Sequence, residues 1–263
     1  MKLLYWNLHR NCLQNTIEDI ISEKDLDIVI VSEYENTNIN SIVTDFQGKW
    51  KCVSSDGGCE KIRLLYREDA GFAVELSSEM ARCAVFIISS KSGEYALAGL
   101  HLHDHLFNPN PGKRMAAIRR IKEMIESDNK LKKIPQIFIG DFNADPCDPE
   151  MTDFDSMFAI MYKDVAKRKA VSKYDETEYR SYYNPMLNCF SEEDKSYGSY
   201  YYDGYNTKYW YCYDQIIVSH ELIDEVKDVC YLKGTVGDSF VSRNGIPKKD
   251  ISDHLPLYAE LGI

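Results

Sequence analysis

Apolar runs that stop at a polar side chain recur along this chain. "LLYWN" ends at Asn7, "LDIVIVSE" at Glu33, "LAGLH" at His101, and "QIFIGDFN" closes on Asp141 and Asn143. Continuous runs of this kind fit strands buried on both faces. Between Glu60 and His101, "IRLLYRE", "GFAVEL", "CAVFIIS" and "YALAGLHL" are separated by short polar turns. They predict four strands in hairpin-like succession. From Gly112 to Ser127, Met115, Ile118, Ile121 and Ile125 recur at helical spacing, so an amphipathic helix is expected there. A shorter helix is expected over Asn15–Ser22, with Asn15 as cap and Glu18 three residues on, a capping-box pattern.

Elsewhere the pattern is weaker. Residues 34–60 read as loop with one strand around Trp50, residues 150–163 as helix, and residues 164–208 as irregular and polar. "YWYCYDQIIVS" and "VKDVCYLKG" read as late strands, and "HLPLYAEL" closes the chain. Hairpin runs together with strands alternating with helices predict an α/β layered fold with mixed sheets. There is no internal repeat and no low-complexity linker, so residues 1–263 are expected to form one domain.

Composition narrows the function classes. Hydrophobic residues are 44% of the chain, enough for a substantial core, yet no window approaches the roughly 18 apolar residues of a membrane span. "MKLLYWNLHRN" lacks the apolar length of a secretion signal, so a cytoplasmic protein is expected. Eight cysteines without a C-x-x-C pattern then read as reduced and mostly structural, with Cys52 and Cys59 able to bridge a loop only in an exported protein. The formal net charge of −11 argues against strong salt-driven nucleic-acid binding. Acidic side chains can nevertheless hold a divalent cation that attracts phosphate, which leaves a metal-dependent phosphoesterase open.

The polar strand ends supply the parts for such chemistry. A Glu after an apolar strand is, taken alone, more often a solvated loop residue than a ligand. Six such places in one chain carry more weight: Asn7, Glu33, His101, Asp141 with Asn143, Asp214 in "YCYD", and the Asp253-His254 pair before the last strand. Glu33, Asp141, Asn143 and Asp253 offer the hard oxygen ligands that Mg2+ prefers, with Mn2+ as a substitute. The clustered Cys and spaced His ligands of zinc sites are missing. His254 and His101 can transfer protons near neutral pH.

"LYWNLH", "IVSEYE", "AGLHLH", "IGDFNADP", "YDQIIVS" and "ISDHLP" follow one another in an order that resembles the endonuclease/exonuclease/phosphatase superfamily, most nearly its deoxyribonuclease-I-like branch. The resemblance runs from Lys2 to Leu261, and "GDFNADP" and "SDHLP" are its most specific motifs. It implies a four-layer α/β/β/α sandwich of two mixed β-sheets with helices outside and the site at one edge. It implies that Glu33, Asp253 and Asn7 stand at a Mg2+ ion. Asp141 would orient or deprotonate the attacking water, and Asn143 would hold the phosphate. His254 would pair with Asp214, and His101 would contact the phosphate or leaving group with Glu60 as its orienting acid. Whether His254 or Asp141 is the base stays open.

The implied activity is nuclease-type phosphodiester hydrolysis, on a single-stranded nucleic acid or a nucleotide, with no obligate protein partner. A phosphomonoesterase or a phospholipid (sphingomyelin-type) phosphodiesterase of the same fold is the alternative. Two departures bear on this choice. Glu35 occupies a position that is usually basic in the deoxyribonuclease branch, which weakens the case for double-stranded DNA. "YDQI" lacks the Trp-x-x-Asp-Arg pattern of inositol polyphosphate phosphatases.

"YGSYYYDGYNTKYWYCYD" is dense in tyrosine. Tyr209, Tyr211 and Tyr213 share a strand face and read as core. Tyr200, Tyr201, Tyr202 and Tyr205 fall in the irregular part and are candidates to stack on substrate. Arg82 reads equally as a phosphate contact or a surface residue. "HLHDH" is one residue short of the His-x-His-x-Asp-His zinc motif, and only His220 and His254 lie downstream, so His103 and His105 are expected at the rim. A catalytically silent binding module is the rival of another class, and it is disfavoured because both "GDFN" and the Asp-His pair are present.

Overall fold

The computed structural model describes residues 1–35, 48–53, 55–105, 109–190, 197–204 and 207–263, without the side chains of 188–190. In chain order its strands are Lys2–Asn7 (β1), Ile28–Ser32 (β2), Trp50–Val53 (β3), Ile62–Arg67 (β4), Ala73–Met80 (β5), Cys83–Ser90 (β6), Gly93–His101 (β7) and Gln136–Asp141 (β8). The second half adds Ala159–Ile160 (β9), Val171–Tyr174 (β10), Thr177–Arg180 (β11), Tyr182–Tyr183 (β12), Tyr200–Tyr201 (β13), Trp210–Tyr211 (β14), Asp214–Val218 (β15), Val226–Tyr231 (β16) and Leu257–Leu261 (β17). Helices cover Gln14–Lys24 (α1), Gly112–Ser127 (α2), Pro149–Thr152 (α3) and Lys163–Arg168 (α4).

Two mixed sheets dominate. One has the order β16-β17-β1-β2-β4-β3, the other β5-β6-β7-β8-β15-β12-β9. In the first, β1 and β2 run parallel; in the second, β7 and β8 do. The continuous apolar runs are explained by double burial. Along β7 to β15, Leu97, Ile137, Ile139, Ile216 and Val218 join the core shared with the first sheet. The intervening Ala96, Ala98, Leu100, Phe138 and Ile217 pack with Ile118, Ile121 and Ile125 of α2 on the other face. This period of two gives each strand one partner layer per side. α1 contributes Ile17, Ile20 and Ile21 to the first core. The layers are therefore helix, sheet, sheet, helix.

Local expectations were met unevenly. The helix at residues 112–127 has its expected bounds. Of the four successive strands, only β5, β6 and β7 form a meander; β4 pairs with β2 and β3 in the other sheet. A one-turn 3-10 helix over Glu68–Ala70 and Gly71, at φ 81°, carries the chain across between sheets. α1 begins at Gln14, and its N-cap is Leu13, which makes no side-chain cap; Glu18 instead accepts from Gln14 Nε2 at 3.0 Å, one turn back. Residues 150–163 are largely non-helical, because α3 ends at Thr152 and β9 follows. The span 164–208 holds α4 and β10 to β13, so it is more ordered than its polarity suggests. "YWYCYDQIIVS" divides into β14 and β15.

Gly140 shows why the "IGDFN" run needs its glycine. At φ 154°, a Cβ there would lie 2.0 Å from the Leu100 carbonyl oxygen, so only glycine lets β8 approach β7 this closely.

Candidate active site

The strand directions gather the polar ends at one edge. Parallel β1 and β2 finish together, so Asn7 and Glu33 emerge side by side. Parallel β7 and β8 finish with His101 opposite Asp141. β15 runs against β8 and begins at Asp214, directly across from Asp141. β17 runs against β1, so the residues entering it, Asp253 and His254, arrive at the Asn7 end. Carboxyl ends of parallel strands are where ligands gather in α/β sheets.

A cavity of about 490 Å³ opens there, lined by Asn7, Glu33, His101, Asp141, Asn143, Asp253 and His254 among others. The backbone turns sharply at its rim: Glu33 and Asn143 both adopt left-handed conformations, with φ of 47° and 50°. Such strain persists where surrounding contacts hold it, as they do at functional sites.

His254 Nδ1 lies 2.7 Å from Asp214 Oδ2, and both residues are buried. The His254 backbone is fixed on both sides, its carbonyl accepting from Trp6 Nε1 at 2.9 Å and its N–H donating to Ser252 Oγ at 3.1 Å. Burial opposes a charge on this imidazole, but the carboxylates of Asp214, Asp141 and Asp253 together outweigh it and push its pKa up to about 10. Asp141 Oδ1 accepts the Asn143 N–H at 2.8 Å. Asp141 is fully buried beside Asp214, and burial followed by that second charge raises its pKa to about 7. His101 Nε2 sits 3.5 Å from Glu33 Oε1 and 3.7 Å from Asp141 Oδ2. Burial, reinforced by the positive charge at His254, lowers its pKa to about 3.

Two side chains are placed differently from the sequence expectation. Glu60 is exposed and lines a neighbouring depression with Arg10, Glu35 and Lys61. The Nδ1 of His101, which Glu60 was expected to orient, is buried with no hydrogen-bond partner among the described residues. The residue beside it, Lys61, lines the cavity instead: Ile62 pairs with Ser32, which brings Lys61 level with Glu33. Asn7 was expected at the metal. Its Oδ1 accepts the His9 N–H at 3.0 Å, which leaves its amide nitrogen facing Asp141 at 3.4 Å and Glu33 at 3.5 Å. An amide nitrogen cannot ligate a cation.

The remaining donor set suits a hard divalent cation. Glu33, Asp141 and Asp253 bring carboxylate oxygens to one cavity, and among the described residues the buried Asp253 Oδ1 has no hydrogen bond, only the His9 imidazole 3.3 Å away. Donor atoms of Asp141, Asp214 and His254 also lie within 4.8 Å of one another. The close His254–Asp214 contact occupies two of those three, which leaves an oxygen of Asp141 free toward the cavity.

Further residues line the cavity, of which His9 and Asp104 were not singled out by the sequence. His9 Nδ1 is 3.3 Å from Asp253 Oδ1. Its place two residues beyond Asn7 was the available signal. Arg82 points its guanidinium at the His101 and Leu102 carbonyls, at 3.3 and 3.1 Å, and lines the cavity, so the surface alternative does not hold. His103 and Asp104 stand at the same wall. Tyr209, expected as core, is exposed at φ 58°, whereas Tyr211 and Tyr213 are buried and Tyr213 borders the cavity. Tyr200 lines it too, and Tyr205 lies outside the described residues.

A sequence model described as the Endonuclease/Exonuclease/phosphatase family matches residues 4–254. Humanized D. rerio TDP2 superposes with a TM-score of 0.64 at 14% identity, covering 98% of this chain and 97% of that one. D. rerio TDP2 complexed with single strand DNA product gives 0.61 at 13% identity, covering 98% and 97%. A mannosyl-6-phosphatase of Bacteroides thetaiotaomicron gives 0.61 at 17% identity, covering 99% of each. At these identities the likenesses establish the fold. No curated protein matches the sequence.

Proposed function

This chain belongs to the endonuclease/exonuclease/phosphatase family of metal-dependent phosphoester hydrolases, and from that premise we propose a Mg2+-dependent phosphodiesterase of the nuclease type. Its substrate class is a single-stranded nucleic acid or a nucleotide, its unit of action is residues 1–263, and Mn2+ can replace Mg2+. The observation that carries the reading is the 2.7 Å His254–Asp214 pair opening on a cavity that also holds Glu33, Asp141, Asn143 and Asp253. The TDP2 structure with a single-stranded DNA product supports the substrate class.

Glu33 and Asp253 would hold the cation, with Asp141 beside it. When bound, it supplies neutralisation of charge on the phosphoryl oxygens and lowers the pKa of a water. Asp141, with one oxygen fixed by the Asn143 N–H, accepts the proton of the attacking water as that water's oxygen bonds to phosphorus and the bond to the leaving oxygen breaks. This assigns the base to Asp141. His254 spends Nδ1 on Asp214 and offers its other ring nitrogen, with its positive charge, to the phosphoryl oxygens. Asn7 donates to Glu33 and Asp141 and so orients two carboxylates. Neutral His101 and the amide of Asn143 contact the phosphate or leaving group.

A second reading is favoured by one observation. Glu35 and Glu60 line the depression that adjoins the cavity through Glu33 and Lys61, on a chain of net charge −11. Such a rim repels a polyanion and suits a small phosphomonoester, the kind of substrate named for the Bacteroides relative. Hydrolysis of bis-p-nitrophenyl phosphate against p-nitrophenyl phosphate, with Mg2+ and with Mn2+, separates the two. Preference for the diester, lost in Asp141→Ala and His254→Ala, supports the phosphodiesterase. Preference for the monoester supports the alternative, and no turnover with any divalent cation overturns both.

A further inference from the structure

The tyrosine-rich segment takes no part in the chemistry above, yet it meets the histidine–aspartate pair at several points. Ser199 is fully buried. Its Oγ accepts the Asp214 N–H at 3.1 Å, and its carbonyl accepts the N–H of Leu255, the residue after His254, at 2.8 Å. One residue thus bonds to the backbone beside both members of the pair. Tyr200 continues the contact. It forms an antiparallel bridge with His254, and its ring centroid lies 5.0 Å from the imidazole at an interplanar angle of 44°. The same ring stacks on Tyr213, the neighbour of Asp214, at 5.6 Å and 24°.

The segment is itself firmly seated. Tyr200 and Tyr201 pair with Tyr211 and Trp210, and the Tyr202 N–H donates to the Tyr209 carbonyl at 2.8 Å. Gly198 permits this seat, because a Cβ there would lie 2.5 Å from the Tyr211 carbonyl oxygen. The need for such a crosspiece follows from topology. Asp214 begins β15 of one sheet, and His254 precedes β17 of the other. Ladder hydrogen bonds run within a sheet, so no ladder sets the spacing between the two residues. On the rear side the Tyr231 hydroxyl donates to the Asp214 carbonyl at 2.6 Å. On the cavity side the link is Ser199–Tyr200.

We propose that Ser199 and Tyr200 are positioning residues that hold His254 against Asp214 and aim its free ring nitrogen at the phosphoryl group. This rests on the roles given to His254 and Asp214 above. Misplacing a catalytic group by about 1 Å costs on the order of 10²-fold in rate, and the effect falls on kcat because substrate binding is not its target.

The test combines kinetics with a signal independent of turnover. With bis-p-nitrophenyl phosphate and Mg2+, Tyr200→Ala lowers kcat by about 10²-fold with KM within about twofold, and Tyr200→Phe, which keeps the ring, restores it. Added to His254→Ala, the Tyr200→Ala change costs less than about threefold further, because the two residues act as a unit. Proton NMR of the metal-free protein shows the hydrogen-bonded Nδ1–H of His254 far downfield in the parent and in Tyr200→Phe, and shows it shifted or lost in Tyr200→Ala and Ser199→Ala. If Tyr200→Ala does not fold, Ser199→Ala carries the same readouts. An unchanged kcat, a loss confined to KM, or an unchanged Nδ1–H signal in both variants overturns the proposal. Full activity in His254→Ala overturns instead the functional reading on which it rests, and the NMR signal then still reports whether the segment holds the pair.

Discussion

His254 and His101 are buried to nearly the same degree and face the same cavity, yet their surroundings shift their pKa values in opposite directions. His254 has Asp214 at 2.7 Å and a pKa near 10. His101 has a buried Nδ1 without a hydrogen-bond partner among the described residues and a pKa near 3. Burial disfavours the imidazolium in both; at His254 the buried Asp214 carboxylate, hydrogen-bonded at 2.7 Å, reverses the sign, whereas Glu33 and Asp141, at 3.5 and 3.7 Å from His101 Nε2, do not. One imidazole therefore serves as a fixed positive charge and the other as a neutral donor or acceptor. Polar residue types at a strand end say nothing about this division, because it rests on which second strand lies opposite.

The largest expected effect is on the side of the fixed charge. His254→Ala and Asp141→Ala each lower kcat by about 10³-fold, within the usual range for removing a general acid–base or charge-stabilising group. Steady-state hydrolysis of bis-p-nitrophenyl phosphate measures it, and a loss below about tenfold would remove these residues from the chemistry. Asp214→Asn comes next, at about 10²-fold, because the imidazole stays in place but loses the charge that keeps it protonated. The same assay, with KM unchanged, checks it. His101→Asn costs about tenfold, since a neutral amide retains one hydrogen bond to phosphate. A larger loss than that of Asp214→Asn would invert the ranking of the two histidines.

Titration gives a direct comparison. In the metal-free protein at pH 7, the Cε1–H chemical shift reports His254 as charged and His101 as neutral. The stabilisation from His254 is complete below the ordinary imidazole value of 6.5 and fades as pH rises through about 10. His101 runs the other way: acidification from 6.5 toward about 3 destabilises the fold, because the unfolded chain takes up the proton first. Two overlapping titrations near 6.5 would refute the contrast. The smallest effect belongs to Glu60→Gln, which leaves kcat within about twofold, because that side chain is exposed and outside the cavity.

Much of the fold was legible because double burial writes itself as long apolar runs. β1, β2, β7, β8 and α2 follow directly from such runs or from helical spacing. The short strands β9 to β13 escaped, since two- to four-residue strands in a polar span carry no period to read. The assignment of β4 to the first sheet escaped as well, because an apolar run does not name its neighbour. At the site, residues within specific motifs came together: Asp141, Asn143, Asp253 and His254 all line one cavity. Glu60 illustrates the limit. The right segment was singled out, but alternation at the start of β4 sends Lys61 rather than Glu60 into the cavity.

Residue order along the chain was enough to establish which side chains end the buried strands, because hydrophobic period and strand termini are local properties. Folding alone established which of them meet. The 2.7 Å contact between Asp214 and His254 joins residues 40 positions apart, one opening β15 of one sheet and the other in the segment leading into β17 of the other, and the charge of each histidine depends on such contacts. Electrostatic interaction is set by distance in space, and no local pattern encodes that distance.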